Sequence, residues 1–193
     1  MRDNERVRIR EVKTLSDDWY LLKKTTFDYR MRDGSWKTVA RETYDRGNGA
    51  AILLINRDRG TLLLTRQFRF PAYVNGLEDG MLVEACAGLL DNQSPEEAIR
   101  REAEEELGVK VREVRKVLES YMSPGSVTEK LYFFVGEYDA AASETAGNAD
   151  EGEDIEVIEL GLDEALAWID NGRIQDAKTI ILLLLAQTSG WFR

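Results

Sequence analysis

The 193-residue chain is long enough for one well-buried core, and 43% hydrophobic with 32% charged residues is a globular balance that excludes disorder over most of its length. A net charge of −10 excludes a nucleic-acid backbone as partner unless a metal intervenes. The absence of histidine removes Ser-His-Asp triads, His-ligated zinc and histidine bases together, so acid–base or metal chemistry falls to carboxylates, lysines, tyrosines or water. Cys86 is the only cysteine, which rules out an intramolecular disulfide and reads as a core residue. The opening MRDNERVRIR lacks the apolar core of a signal peptide, and the longest apolar run, IILLLLA from Ile180 to Ala186, falls short of the roughly 20 residues that cross a bilayer. A cytoplasmic location with no membrane partner is expected, with the apolar run forming a buried helix.

In chain order, VRIREV, WYLLKKTTFDYRM and WKTVARETY read as strands, the last two separated by the turn RDGS, and form a small antiparallel unit over residues 1–45. The main domain, residues 46–193, begins behind the turn-rich DRGNG. AAILLIN and TLLLTRQFRF are apolar strands joined by the charged hairpin RDRG. MLVEACAG reads as one strand, Met81 to Ala87, ending at Gly88. A helix follows with both ends marked: Ser94 as N-cap, Pro95 in the first turn, Glu97 closing a capping box, and Gly108 as the stop. Strands at VRKVLESYM and EKLYFFVGEY precede an exposed, mobile loop, AAASETAGNADEGED. IEVIEL is then a strand, LDEALAWIDNG a short amphipathic helix, and AKTIILLLLAQT a closing helix. Strands with few helices, one of them between core strands, predict an α+β or α/β/α layered arrangement, with an N-terminal antiparallel β unit.

The stretch REAEEELG, Arg101 to Gly108, concentrates four glutamates on one short helix, where like charges three and four positions apart repel. At 100° per residue Glu102, Glu105 and Glu106 fall within a sector of about 100°. Such a face is either solvated or relieved by a cation. Arg101, Glu102, Ala103, Glu105, Glu106, Gly108 and Val109 resemble the second half of the Nudix box, G-x5-E-x7-R-E-U-x-E-E-x-G-U with U aliphatic. In the first half, Gly88 stands one residue closer to Arg101 than the pattern has it, and Ser94 occupies the glutamate position. The segments YDRGNGA, RQFR, CAGLLDN, YMSPG, VTE and EDIEV extend the resemblance to the bacterial GDP-mannose pyrophosphatase branch of the Nudix family, which has the same shortened spacing.

That resemblance implies Mg²⁺-dependent hydrolysis (Mn²⁺ as substitute) of the pyrophosphate bond of a nucleotide sugar, GDP-mannose giving GMP and mannose 1-phosphate. It also implies the Nudix fold, an α+β arrangement of mixed sheets sandwiched between helices, and a homodimer with exchanged N-terminal strands. ADP-ribose is the alternative substrate, and a non-catalytic nucleotide-sugar sensor the second alternative, which would lack the metal carboxylates. By matched position Glu102, Glu106 and the Ala87 carbonyl are metal ligands. The acidic loop offers Asp150, Glu151, Glu153 and Asp154 as proton acceptors, of which Glu153 is at the matched position and reaches the metal and the attacking water; Glu105 supports the ligands or is shared among them, and its helix is the other source of a base. Arg101 orients a catalytic glutamate. Ala87 and Gly88 lie near the phosphates, which Arg69 grips. Glu129 lies near the sugar, Lys178 makes a contact from the last helix, and Tyr20, Arg41 and Glu42 hold the nucleotide.

Overall fold

The structure, a computed structural model, describes residues 5–139, 145–146 and 154–192. They divide into two compact units, residues 1–48 with 121–130 and residues 49–120 with 131–193. The first is built on β1 (Val7–Asp17), β2 (Leu21–Arg30) and β3 (Trp36–Asp45), an antiparallel sheet in that order. Its register is pinned from inside: the buried Asp28 carboxylate accepts from Arg10 Nε at 2.7 Å and from Thr38 Oγ1 at 2.8 Å, tying the middle strand to both neighbours. These bonds hold the Asp28 carboxyl below the usual carboxylate range, Arg10 contributing most. The strand expected from Trp19 onward starts only at Leu21, because residues 18–20 make the bend between β1 and β2, and Tyr20 sits on that bend. At the far end of β3, Tyr44 bridges Val127, its amide donating to the Ser126 carbonyl and its carbonyl accepting from the Thr128 amide, so residues 126–128 lie along the sheet edge.

The second unit holds β4 (Gly49–Asn56), β5 (Thr61–Phe68), α1 (Phe70–Val74), β6 (Met81–Glu84), β7 (Ala87–Leu89), α2 (Pro95–Leu107) and β8 (Val111–Tyr121). It continues through β9 (Lys130–Tyr138), β10 (Thr145–Ala146), β11 (Ile155–Gly161), α3 (Leu162–Asp170) and α4 (Ala177–Ser189). The sheet order is β10-β11-β5-β4-β9-β8, with β6 on β5 and β7 on β4; β4 runs parallel to β9, a mixed sheet as expected. All of β4 is buried, as a strand covered on both faces must be. Its Ala50, Ile52 and Leu54 join Ile99, Ala103 and Leu107 of α2 in one core, and alternation sends Ala51, Leu53 and Ile55 to the opposite face, where α4 packs. Burying each of these larger aliphatic side chains contributes about 1.5–3 kcal/mol.

α2 is fixed as its sequence dictates. Ser94 Oγ accepts from the Glu97 amide and the Glu97 carboxylate accepts back from the Ser94 amide. At the other end Gly108 takes the left-handed conformation, φ 64°, and its amide donates to the Glu104 carbonyl at 3.1 Å. The expected single strand MLVEACAG is instead two: β6 pairs with β5, then the chain steps across at Ala85 and Cys86 and β7 pairs with β4. The step is held from outside the sheet by Thr179 of α4, whose Oγ1 accepts from the Ala85 amide at 2.6 Å, and from within it by β4, where the Ile52 amide donates to the Cys86 carbonyl at 2.9 Å. The IILLLLA run is helical but one-sided, with Leu182, Leu183 and Ala186 buried and Leu184 exposed. Helix α1 was not foreseen, because FPAYV has no periodicity to read over five residues.

Candidate active site

The second unit gathers α2 and β7 around the carboxylates. The face expected to carry three of them is divided: Glu106 is 5% exposed, Glu102 sits at the rim with its side chain 18% exposed, and Glu105 is exposed. The core-facing stripe runs through Ile99, Ala103, Glu106 and Leu107, and Glu105 stands 100° from Glu106 toward solvent. Accordingly, among the described residues no three acidic or sulfur side chains converge as a ready-made cation cage.

Gly88 explains what β7 contributes. A Cβ at this position would lie 2.3 Å from Cδ, 2.4 Å from Cγ and 2.5 Å from Oε1 of Glu102. The bare strand backbone at Ala87 and Gly88 is therefore pressed directly against the Glu102 carboxylate, an approach that only glycine permits. From the other side Arg101 Nη2 donates to Glu102 Oε1 at 2.8 Å and reaches Asp91 at 3.4 Å. The bond to Glu102 is the largest cause of the raised pKa of the guanidinium. Cys86, at the strand step, is buried as expected and hydrogen-bonds Glu106. Burial first, then Glu106 and Glu102, push its thiol well up, so it stays neutral.

A second charged cluster lies three residues back along the chain. Glu84, 3% exposed, holds Arg69 Nε at 2.6 Å on one carboxylate oxygen and Lys178 Nζ on the other. Lys178 also pairs with Asp176 at 3.1 Å, and Asp176 caps α4 by accepting from the Thr179 amide at 2.9 Å. Arg69 stands at the end of β5 and Lys178 in the first turn of α4, so residues 109 positions apart in sequence are joined through one carboxylate. The Arg69 side chain remains 40% exposed, which leaves its terminal nitrogens accessible.

In the N-terminal unit the expected nucleotide contacts separate into two places. Tyr20 packs edge-on to Tyr44, ring centroids 5.8 Å apart, and the Arg46 guanidinium stands 5.6 Å from its ring; Arg46 also pairs with Glu129 at 3.5 Å. Arg41 and Glu42 instead line a cavity of about 660 Å³ with Phe27, Tyr121 and Val127. The hairpin register is the reason. Leu21 pairs with Asp45, whereas Lys24 and Thr25 pair with Glu42 and Arg41, so Tyr20 lies about 14 Å or more along the sheet from them at roughly 3.4 Å per residue. Glu153 lies outside the described residues, as do Asp150 and Glu151.

Sequence reasoning missed Glu84 and Arg46. A lone charge inside the apolar strand MLVEACAG is a signal for Glu84, because a buried carboxylate requires cationic partners. Arg46 sits in the turn DRGNG, and nothing in that turn marks it from its neighbours.

Comparison with known proteins places this geometry. A family profile described as "GDP-mannose pyrophosphatase NudK N-terminal domain" matches residues 6–44, and one described as "NUDIX domain" matches residues 45–183. A protein of Pectobacterium atrosepticum named GDP-mannose pyrophosphatase is 56% identical over 182 residues, covering 94% of each chain. One of Yersinia enterocolitica with the same name is 57% identical over 176 residues, covering 91% of this chain and 92% of its own. One of Klebsiella pneumoniae, also so named, is 51% identical over 178 residues, 92% and 90% of the two chains. Among solved structures, an ADP compounds hydrolase superposes with TM-score 0.73 over 97% of this chain and 96% of its own; at 18% identity the likeness is one of fold. With the two profiles covering residues 6–183 without a gap and relatives above half identity along nearly the whole length, the chain belongs to the Nudix hydrolases, enzymes that work with a divalent cation.

Proposed function

We propose that this Nudix hydrolase cleaves the pyrophosphate bond of a nucleoside-diphosphate sugar, GDP-mannose before others, to GMP and mannose 1-phosphate with Mg²⁺. The observation that carries the reading is the Glu102 carboxylate lying against the bare backbone at Gly88, with Glu106 one helical turn on. This donor set fits a hard divalent cation. It is all oxygen, rigid and anionic, and it offers few protein ligands, as suits Mg²⁺, which keeps several waters. Glu102, Glu106 and the Ala87 carbonyl are the residues that would hold it. Bound there, such a cation neutralises pyrophosphate charge and makes water a better nucleophile at neutral pH.

The chain's own groups supply the rest. Arg69 grips phosphate oxygens through the part of its guanidinium not committed to Glu84, and Lys178, buried on the same carboxylate, makes the contact from the last helix. Arg101 fixes the orientation of Glu102 by its charge-assisted hydrogen bond. Water adds to one phosphorus, the bridging P–O bond breaks, and Glu105, solvent-facing on the same helix, is assigned to take the water's proton. Arg41 and Glu42 at their cavity, with Tyr20, are assigned to the nucleotide, and Glu129, paired with Arg46, to the sugar. The names borne by the relatives support GDP-mannose as the substrate.

In the test, GDP-mannose and ADP-ribose are compared with product identification by mass. The expected kcat/KM is higher for GDP-mannose, and Glu42→Ala narrows the gap, because a site that hydrogen-bonds one base rejects another by leaving polar groups unpaired. Faster cleavage of ADP-ribose by the unaltered protein would overturn the substrate assignment and leave the enzyme class standing.

We further assign a second copy of the chain as the partner. Ile9, Val12, Leu15 and Trp19 are exposed along β1 and the bend after it, a row too apolar for a strand that faces only water. A three-stranded sheet also needs a packed face for stability. Sedimentation is expected to show a dimer; a fully active monomer at micromolar concentration would refute the assignment.

A further inference from the structure

We propose that Glu84 is a positioning residue for substrate binding: its buried carboxylate, anchored by Lys178 on one oxygen, sets the direction of the exposed Arg69 guanidinium that receives the substrate's phosphates. The inference rests on the reading of Arg69 and Lys178 as substrate contacts and adds the group that makes them a pair. Each oxygen of Glu84 takes one cation, Oε2 the Arg69 Nε and Oε1 the Lys178 ammonium. Two cations side by side repel, and a carboxylate between them turns that repulsion into two attractions.

The arrangement is anchored on every side. Glu84 lies in register with Thr65, whose hydroxyl donates to the Glu84 carbonyl at 3.2 Å, so β5 and β6 fix its backbone. Lys178 is clamped between Glu84 and the α4 cap residue Asp176, and the next residue, Thr179, receives the Ala85 amide. Lys178 is itself 8% exposed, so its stem cannot wander in search of a ligand. Arg69 has one nitrogen, Nε, committed to Glu84 while its side chain remains 40% exposed, the geometry of a guanidinium aimed rather than merely neutralised. A carboxylate placed only to stabilise the fold has no need to hold an accessible arginine by one edge. Preorganised in this way, the cations give up less conformational freedom when phosphate arrives.

The experiment is a double-mutant cycle on GDP-mannose cleavage with Glu84→Gln, Arg69→Ala and both together, with melting temperatures measured alongside. Glu84→Gln keeps the shape and removes the charge. KM is expected to rise about tenfold, the loss typical of a charge-assisted hydrogen bond, with kcat changed far less. In the double variant the KM effects should combine to less than their product, because Glu84 acts through Arg69. An unchanged KM in a folded Glu84→Gln protein, or effects that multiply fully, would overturn the proposal, as would a lowered melting temperature with normal KM. Should the Gln variant not fold, Glu84→Asp, which keeps the charge but withdraws it by one methylene, is read in the same cycle: a raised KM coupled to Arg69 supports the proposal, and an unchanged one overturns it. If Arg69→Ala and Lys178→Ala both leave cleavage untouched, the site reading itself falls and takes this inference with it. If only Glu84 is silent, the site stands and the inference alone is lost.

Discussion

Glu106→Gln is expected to lower kcat by about three orders of magnitude, the scale on which loss of one ligand charge from a metal-dependent hydrolase reads out. The substitution preserves volume and the helix, and α2 is held by its capping box and by Ile99, Ala103 and Leu107 in the core, so melting should change little. Glu106 is 5% exposed beside the Cys86 thiol, which makes it part of the interior wall of the site rather than a surface charge. Steady-state kinetics with circular dichroism on the same preparation checks both halves. Chelation of divalent cations from the unaltered protein should cut turnover at least as deeply. A variant with near-normal kcat would remove Glu106 from the chemistry.

Gly88→Ala is the second large effect, and it works by geometry alone. The added methyl would stand 2.3–2.5 Å from three atoms of the Glu102 side chain, far inside van der Waals contact. What yields is the glutamate, because it is a side chain at the rim with room to turn, whereas the β7 backbone is paired to β4 through Ala50 and Ala51. Turning Glu102 away also breaks its 2.8 Å bond from Arg101. A misplacement of about 1 Å in a catalytic constellation costs on the order of 100-fold, so kcat/KM should fall by about that much with little loss of stability. Activity within a factor of a few of the unaltered enzyme would show that the contact between Gly88 and Glu102 is incidental.

The sequence made the local punctuation legible. Ser94, Pro95, Glu97 and Gly108 bound α2 in the structure as their chemistry requires, and the three N-terminal strands pair antiparallel. What it did not make legible depends on partners remote in the chain. The step at Ala85 and Cys86 is set by Thr179, more than ninety residues away, so period-2 patterning had no reason to break there. Periodicity grouped Glu105 with Glu102 and Glu106, but a sector of about 100° is wide enough to span both the core edge and solvent, and only packing against β4 and β7 decides which carboxylate goes where. WYLL is strongly strand-forming, but residues 18–20 make a bend, and the β2–β3 register, which pairs Lys24 with Glu42, sets Tyr20 four rows from Glu42.

The strand step between β6 and β7 has a consequence for how the site keeps its dimensions. Glu84 ends one short strand and Ala87 begins the next, so the group that organises the cations and the backbone that meets Glu102 are separated by only two residues, Ala85 and Cys86, both buried. That stretch is a covalent ruler of about 10 Å at roughly 3.3 Å per residue, graduated by the Thr179 bond on one side and the Ile52 bond on the other. On the proposed roles, the calibration between gripping a phosphate and cutting beside it is thus written into three peptide bonds and not into the loops around them. Substitutions elsewhere in the chain can accumulate while this gauge stays the same.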